Sequence, residues 1–350
     1  MKRKITLGIP IYNAANLVEK TLLSALNQTY PNIEYLFVDD KGDSMDVVRR
    51  VVENHPRSGD VRIIDQGTNQ GIAVARNTII ENATGDFLFT MDCDDVILPN
   101  CIEILYSAMM EHPVDFVAAS FVRCDVSGKL YPGCQYEDIL IEGRDFPVAE
   151  YRYGLGKHLF VATWNKLYDM DFLRRNKIRC HPGHYNEDPW FTYQVILNAA
   201  SCRLLPDVTL HYIYNPQSVS GIAASNGYSE KIAYQFAEIQ QLKSAYVRPL
   251  AKQPFYINLL VDIMQMSIYH AYRIATSSCI GKKKKDEIVT DLLQRKFVPP
   301  LLQCAGRRTT RYRLLSIFWK MPMWAKVFSV KLLASLRFKE WFKKWLHFTD

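Results

Sequence analysis

The 350-residue chain lacks any uninterrupted apolar stretch of the roughly 18–20 residues needed to span a bilayer, so no membrane-spanning helix is expected. It lacks paired cysteines. The eight cysteines, from Cys93 to Cys304, contain no CxxC, which argues against a structural zinc site. Reduced thiols in a cytosolic protein fit a chain long enough to build its own core. It lacks the GxGxxG turn of a dinucleotide fold after its first apolar run. A signal peptide is not expected either. Basic residues precede the run Ile5–Ile11, but Gly8 and Pro10 interrupt it and no small-residue cleavage site follows. Internal repeats and low-complexity tracts are absent. With 48% hydrophobic and 23% charged residues, a disordered chain is excluded.

The net charge of +7 hides a split. Residues 281–350 hold 17 Lys and Arg against 5 Asp and Glu, a net of +12, which leaves −5 for residues 1–280. Four of the six tryptophans, Trp319, Trp324, Trp341 and Trp345, also lie near the C-terminus. The two ends therefore face different partners.

Residues 5–122 alternate between β-branched apolar runs and helical spacing. Strands are predicted at 5–9, 35–38, 61–64, 86–91 and 116–122, with helical patterns between them. This pattern predicts an α/β fold with a mostly parallel central sheet and helices on both faces. In such sheets ligands bind beyond the carboxyl ends of the strands. Those ends carry Pro10-Ile11-Tyr12-Asn13, Asp39-Asp40 and Asp92-Cys93-Asp94-Asp95. Residues 126–215 are irregular, ending in a helix at 188–198 and a strand at 203–213. From about 228 the pattern is helical, with Gly281 and Lys282–Lys285 read as a turn or solvated joint.

Three carboxylates within Asp92–Asp95 repel one another unless a cation lies among them, and all-oxygen ligands suit Mg²⁺ or Mn²⁺. The same residues also fit a solvated acidic turn with Asp95 capping the next helix. Tyr12 offers a ring for base stacking, while Pro10 would end the strand ladder and Asn13 would cap a helix. Asp40 can accept from a ribose hydroxyl or a base N–H. Arg76, in Gly71-xxx-Ala75-Arg76-Asn77, can pair with phosphate or with the acidic cluster, or form a structural ion pair.

Together and in this order, these motifs resemble the family 2 glycosyltransferases with a GT-A fold, of the bacterial cell-surface polysaccharide type. The segment Ser24 to Pro31 (S-A-L-N-Q-T-Y-P) matches as well, and the similarity is densest over residues 4–125. Trp164-Asn165-Lys166-Leu167-Tyr168 and Glu187-Asp188 extend it. One departure is the loop Asp39-Asp40-Lys41-Gly42-Asp43-Ser44, longer than the family's D-D-G-S.

The resemblance implies sugar transfer, with inversion, from a nucleotide diphosphate sugar, expected to be a UDP-sugar. The acceptor would be a hydroxyl of a glycan or lipid-linked glycan. It implies a GT-A catalytic domain over 1–225, with a nucleotide-sugar half (1–125) and an acceptor half (126–225). A basic helical region would follow over 226–350. It assigns Asp94 to the metal, Asp92 to the ribose or metal, and Asp40 and Tyr12 to the base. Asp39 would help Asp40, and Pro10, Asn13 and Arg76 would build the donor pocket. Asp188 would be the general base and Glu187 would orient the acceptor. Trp164 and Lys166 line a sugar site in this reading, although Trp164 equally suits a core. His211 is either a further metal ligand or a core histidine. A nucleotidyltransferase would want a Gly-rich phosphate loop that Pro10–Asn16 lacks. A binding module without turnover is the non-enzymatic alternative.

Over 323–346, Trp324, Phe328, Phe338, Trp341, Phe342 and Trp345 share a broad helical arc with lysines around it. That composition suits a helix lying in a lipid headgroup layer on the cytoplasmic membrane face. Packing of the arc within the protein is the alternative. No nucleic-acid motif accompanies the charge, so nucleic acid is not an expected partner.

Overall fold

The computed structural model describes residues 2–125, 127–183, 187–214, 227–294, 297 and 309–335. They divide into two units. One comprises described residues 2–149 and 158–214, the other 150–157 and those from 227 onward.

The first unit is built on a ten-stranded sheet. Its strands are β1 (Ile5–Ile11), β2 (Ile33–Asp39), β3 (Val61–Asp65), β4 (Phe87–Thr90), β5 (Val96–Ile97) and β6 (Phe116–Cys124). β7 (Leu130–Cys134), β8 (Ile139–Glu142), β9 (Lys166–Asp169) and β10 (Ser201–Ile213) complete it. The helices of this unit are α1 (Val18–Leu26), α2 (Met45–Glu53), α3 (Ile72–Asn82), α4 (Cys101–Glu111), α5 (Met170–Arg175) and α6 (Glu187–Asn198).

The sheet order is β3-β2-β1-β4-β9-β6-β10-β5, with β7 on β6 and β8 on β10. β1 is buried at every position, between β2 and β4, which accounts for its near-continuous apolar sequence. β1 to β4 pair in parallel, so the ends of β1, β2 and β4 open on one edge. The expected α/β fold is present, but the sheet is mixed rather than mostly parallel. β9 runs antiparallel between β4 and β6, and β5, β7 and β8 also pair antiparallel. Antiparallel neighbours need no crossover helix, so β7 and β8 follow β6 with no helix between them.

Two local features position the site. A Cβ on Gly8 would lie 2.3 Å from Ile79 Cγ2, so the glycine lets α3 press onto β1. Arg76, one turn earlier on α3, is thereby carried to the strand ends. β1 also continues past Pro10, which pairs with Val38, while its ladder with β4 stops at Gly8. Pro10 thus lies inside the strand and does not end it.

Gln28 explains the S-A-L-N-Q-T-Y-P segment. Its Nε2 donates to Ser24 O and Leu98 O, and its Oε1 accepts from Ile102 N. It locks α1 to the start of α4, a structural role.

The second unit contains α7 (Glu230–Tyr246), α8 (Tyr256–Thr276), α9 (Lys282–Leu293), α10 (Thr309–Lys320) and α11 (Met323–Ser335). Ile268 and Ala271 of α8, Ile288 and Leu292 of α9, Leu315 of α10 and Val330 of α11 share its core. Residues 150–157 join this unit, where Asn258 Nδ2 donates to Tyr153 O at 2.6 Å. Lys282–Lys285 form the first turn of α9 rather than a joint. Lys284 there bonds Tyr234 Oη and Glu287, which eases four adjacent cations at a helix start. Among the described residues no helix is long and apolar enough to cross a membrane.

Candidate active site

The ends of β1 and β2 interlock. Asn13 and Lys41 adopt positive φ angles of 47° and 61°. Asn13 Oδ1 accepts from Asp43 N at 3.3 Å, and Ala14 N donates to Ser44 Oγ at 2.7 Å. A Cβ on Gly42 would fall 2.4 Å from Asn13 N, so the longer loop after Asp40 folds back onto the β1 end only because residue 42 is glycine. Asn13 is thus a loop fastener, and α1 begins several residues later, with Leu17 at its N-cap. Tyr12 stands 46% exposed beside this junction, an open ring at the strand edge.

Asp39 and Asp40 are both buried. Asp39 Oδ1 accepts from Lys41 N at 2.8 Å. Asp40 Oδ1 accepts from Gln66 Nε2, Gln70 N and Gly71 N, and Oδ2 from Gly71 N. Burial raises the Asp40 carboxyl, and these backbone donors oppose the rise. Asp40 therefore anchors the loop entering α3, where Gly71 takes a φ of 88°.

Arg76 is 2% exposed and joins three carboxylates. Its Nη2 donates to Asp92 Oδ1 at 2.6 Å, and its Nη1 donates to Asp188 Oδ1 at 2.7 Å and to Glu187 Oε1. It therefore pairs with the acidic cluster and the Glu187-Asp188 motif together.

Asp92, Asp94 and Asp95 place ligand atoms within 4.8 Å of one another, the group among the described residues that can hold a metal ion. Asp95 is fully buried. Its Oδ1 accepts from Ile213 N at 2.9 Å, while its Oδ2 is buried with no hydrogen-bond partner. Burial and then Asp92 push the Asp94 carboxyl up to about 7. Burial, then Asp94 and Asp92, raise Asp95 well above its ordinary value. Crowded, desolvated carboxylates with an unpaired oxygen fit a hard divalent cation. The third carboxylate is Asp95, not a helix cap as one reading had it. His211 is not in the group; it sits on β10 opposite Val96 and Val122.

Glu187 and Asp188 open α6. Asp188 Oδ1 also accepts from Thr163 N at 3.0 Å. Glu187 is buried, with Oε2 unpartnered. Burial pushes its carboxyl up to about 8 against the pull of Arg76. Trp164 is 5% exposed, stacked on Tyr212 at 5.6 Å and packed edge-on against Phe121. Lys166 is also buried and donates from Nζ to Ala162 O. Burial lowers its ammonium to about 8, with Asp188 opposing. Both therefore support the site from behind and do not line an open surface. Asn165, between them, donates to Ala119 O and Ser120 O and accepts from Thr209 Oγ1, tying β6 to β10.

Sequence reasoning missed Thr163, which acts through a backbone N–H and leaves no trace in residue type. It also missed Tyr212, whose phenol is raised by burial and by Asp95, Asp94 and Asp92. His184, next to the Glu187-Asp188 motif, lies outside the described residues. The arrangement as a whole can hold a cation at one end of Arg76 and present a carboxylate at the other.

Comparison with known proteins accords with this geometry. Residues 6–176 match the Glycosyl transferase family 2 model. The match takes in the strand-end motifs and stops short of α6. An uncharacterized glycosyltransferase of Escherichia coli, YibD, is 24% identical over 329 residues, covering 92% of each chain. A poly(ribitol-phosphate) beta-N-acetylglucosaminyltransferase of Staphylococcus aureus, TarP, is 23% identical over 71% of this chain and 74% of its own. The crystal structure of S. aureus TarS 1–349 in complex with UDP-GlcNAc superposes with a TM-score of 0.70. At 17% identity over 96% of this chain and 92% of that one, it shows a shared fold. Residues 6–176 thus form a domain of glycosyltransferase family 2, and the chain is a glycosyltransferase.

Proposed function

We propose that this glycosyltransferase moves a sugar from a UDP-sugar to a hydroxyl of a glycan or lipid-linked glycan, with inversion, in cell-surface polysaccharide synthesis. The polymer class follows the names of the relatives, TarP among them, and the donor follows the ligand of the TarS complex. One observation carries the mechanism. A single buried guanidinium, Arg76, holds Asp92 of the acidic cluster and Asp188 of α6 at 2.6 and 2.7 Å.

Asp92, Asp94 and Asp95 are the residues to hold Mn²⁺ or Mg²⁺. When bound, such an ion neutralises the diphosphate leaving group as a Lewis acid. Tyr12, exposed at the end of β1, stacks on the base, and Asp39 and Asp40 shape the loop beneath it. Asp188 is the general base. Thr163 N–H and Arg76 both engage its Oδ1, which orients the carboxylate so that Oδ2 can face an acceptor hydroxyl. The acceptor oxygen bonds to the anomeric carbon, its proton passes to Asp188, and the nucleotide diphosphate departs with the electrons of the broken bond. Glu187, held by the same guanidinium, positions the acceptor side. The domain reading is a catalytic domain to about residue 225 with a helical region after it. The enzyme works at the cytoplasmic membrane face, where a lipid-linked acceptor would be found.

The test is Asp188→Asn with a panel of UDP-sugars. Donor binding, followed by thermal shift with Mn²⁺, should persist, and transfer should fall by about 10²–10⁴-fold. Unchanged turnover would remove Asp188 as the base.

A further inference from the structure

We infer that the outward faces of α10 and α11 form a docking surface for an anionic lipid bilayer. This rests on the reading of a lipid-linked acceptor for its purpose, but its evidence lies in a separate part of the molecule. Helix α11 is apolar on two sides. Ala325 and Val330 are buried on the inner side, and Val330 shares the helical core with Leu315 of α10. The outer side carries Trp324, Phe328 and Leu332 at spacings of four, exposed by 74%, 62% and 47%. On α10, Leu314 and Ile317 repeat the pattern at 61% and 63%. A helix apolar all round is ordinarily enclosed, so the outer row calls for a partner.

Charge identifies the partner. Residues 292–339 contain eleven Lys and Arg and no Asp or Glu. Exposed Arg313 and Lys320 flank Leu314 and Ile317 on α10. Lys331 reaches Asp286 at 2.7 Å, and Lys326 turns inward to donate to Leu293 O, so neither basic group interrupts the outer row. Apolar and aromatic side chains bordered by Arg313 and Lys320, in a stretch of sequence free of acids, match the boundary between acyl chains and anionic headgroups. A second copy would bring cations against cations. Of the arc read from the sequence, Trp324 and Phe328 belong to this row. Phe338, Trp341, Phe342 and Trp345 lie outside the described residues.

The test is flotation of the full chain with phosphatidylglycerol-rich vesicles and with pure phosphatidylcholine vesicles. Binding is expected to the anionic vesicles and should weaken as salt rises. The double variant Trp324→Glu/Phe328→Glu should lose about tenfold or more of that binding, and Leu314→Glu should lose part of it. Melting temperature and donor hydrolysis should be unchanged, because the side chains replaced are exposed. The proposal fails if wild type ignores anionic vesicles or if the double variant binds as well as wild type. It also fails if wild type is a dimer that the double variant makes monomeric, since a second copy would then own the surface. Transfer to a water-soluble acceptor is measured alongside. Its persistence without vesicle binding would overturn the docking surface while leaving the catalytic reading standing.

Discussion

Arg76 and Asp92 lie 16 positions apart in sequence and form an ion pair at 2.6 Å, and the same guanidinium reaches Asp188, 112 positions from Arg76. Asp92, Glu187 and Asp188 thus share one buried cation. Removing it should strand those carboxylates. Arg76→Ala is expected to destabilise the fold by about 3–5 kcal/mol, measured by urea unfolding. Arg76→Lys supplies one point charge where a planar fork bridges two motifs. It should recover much of the stability and little of the transfer rate. Full activity in Arg76→Lys would show that the bridge does not position the base.

The acidic cluster separates two ligand assignments. Asp95→Asn should weaken Mn²⁺ binding by about 10–100-fold, read by calorimetry, because Asp95 brings the unpartnered buried oxygen. His211→Ala should leave Mn²⁺ affinity nearly unchanged. The opposite ranking would return His211 to the metal set.

Glu34 gives a pH test of stability away from the site. Burial alone would raise its carboxyl, but hydrogen bonds from Thr6, Thr84 and Lys4 bring it down to about 2 from 4.5. A carboxylate whose folded value is depressed adds stability above the unfolded value and loses it as pH falls through the folded one. The contribution should therefore be complete above about pH 4.5 and fade toward pH 2. Glu34→Gln should cost about 1–3 kcal/mol at neutral pH, with the gap to wild type closing across that window in chemical unfolding. A gap that stays constant with pH would mean the carboxylate charge is not involved.

Lys166 makes the opposite case. Burial brings its ammonium down to about 8 from 10.5, so the charged form weighs against folding below pH 8 and is relieved as pH rises toward 10.5. Lys166→Met is expected to leave stability at pH 7 unchanged or raised by up to a few kcal/mol. A transfer rate that falls while stability holds would show that the ammonium tunes neighbouring Asp188. A loss of stability would show that its bond to Ala162 O outweighs the burial.

Much of the first half was legible in sequence because its chemistry is local. Apolar runs alternate with helical spacing, and each run ends in the residues that now sit at the sheet edge, Tyr12, Asp39-Asp40 and Asp92–Asp95. Parallel strands bring their carboxyl ends together, so order along the chain becomes proximity. Trp164 and Lys166 were harder to place, since a motif records residue type and not which way a side chain faces. The packing of Trp164 depends on Tyr212 and Phe121, which come from other strands.

By itself, then, the sequence determined the strand–helix alternation, the acidic strand ends and the basic, acid-free C-terminal stretch. Periodicity and charge are properties of short segments, so they can be read there. Only the tertiary structure decided that β9 enters the sheet reversed, that Arg76 serves the carboxylates and that Asp95 offers the unpaired oxygen. It also decided which sides of α10 and α11 are spare. Each of these depends on which distant surfaces meet, and burial by a distant partner turns an ordinary arginine into a shared counter-charge.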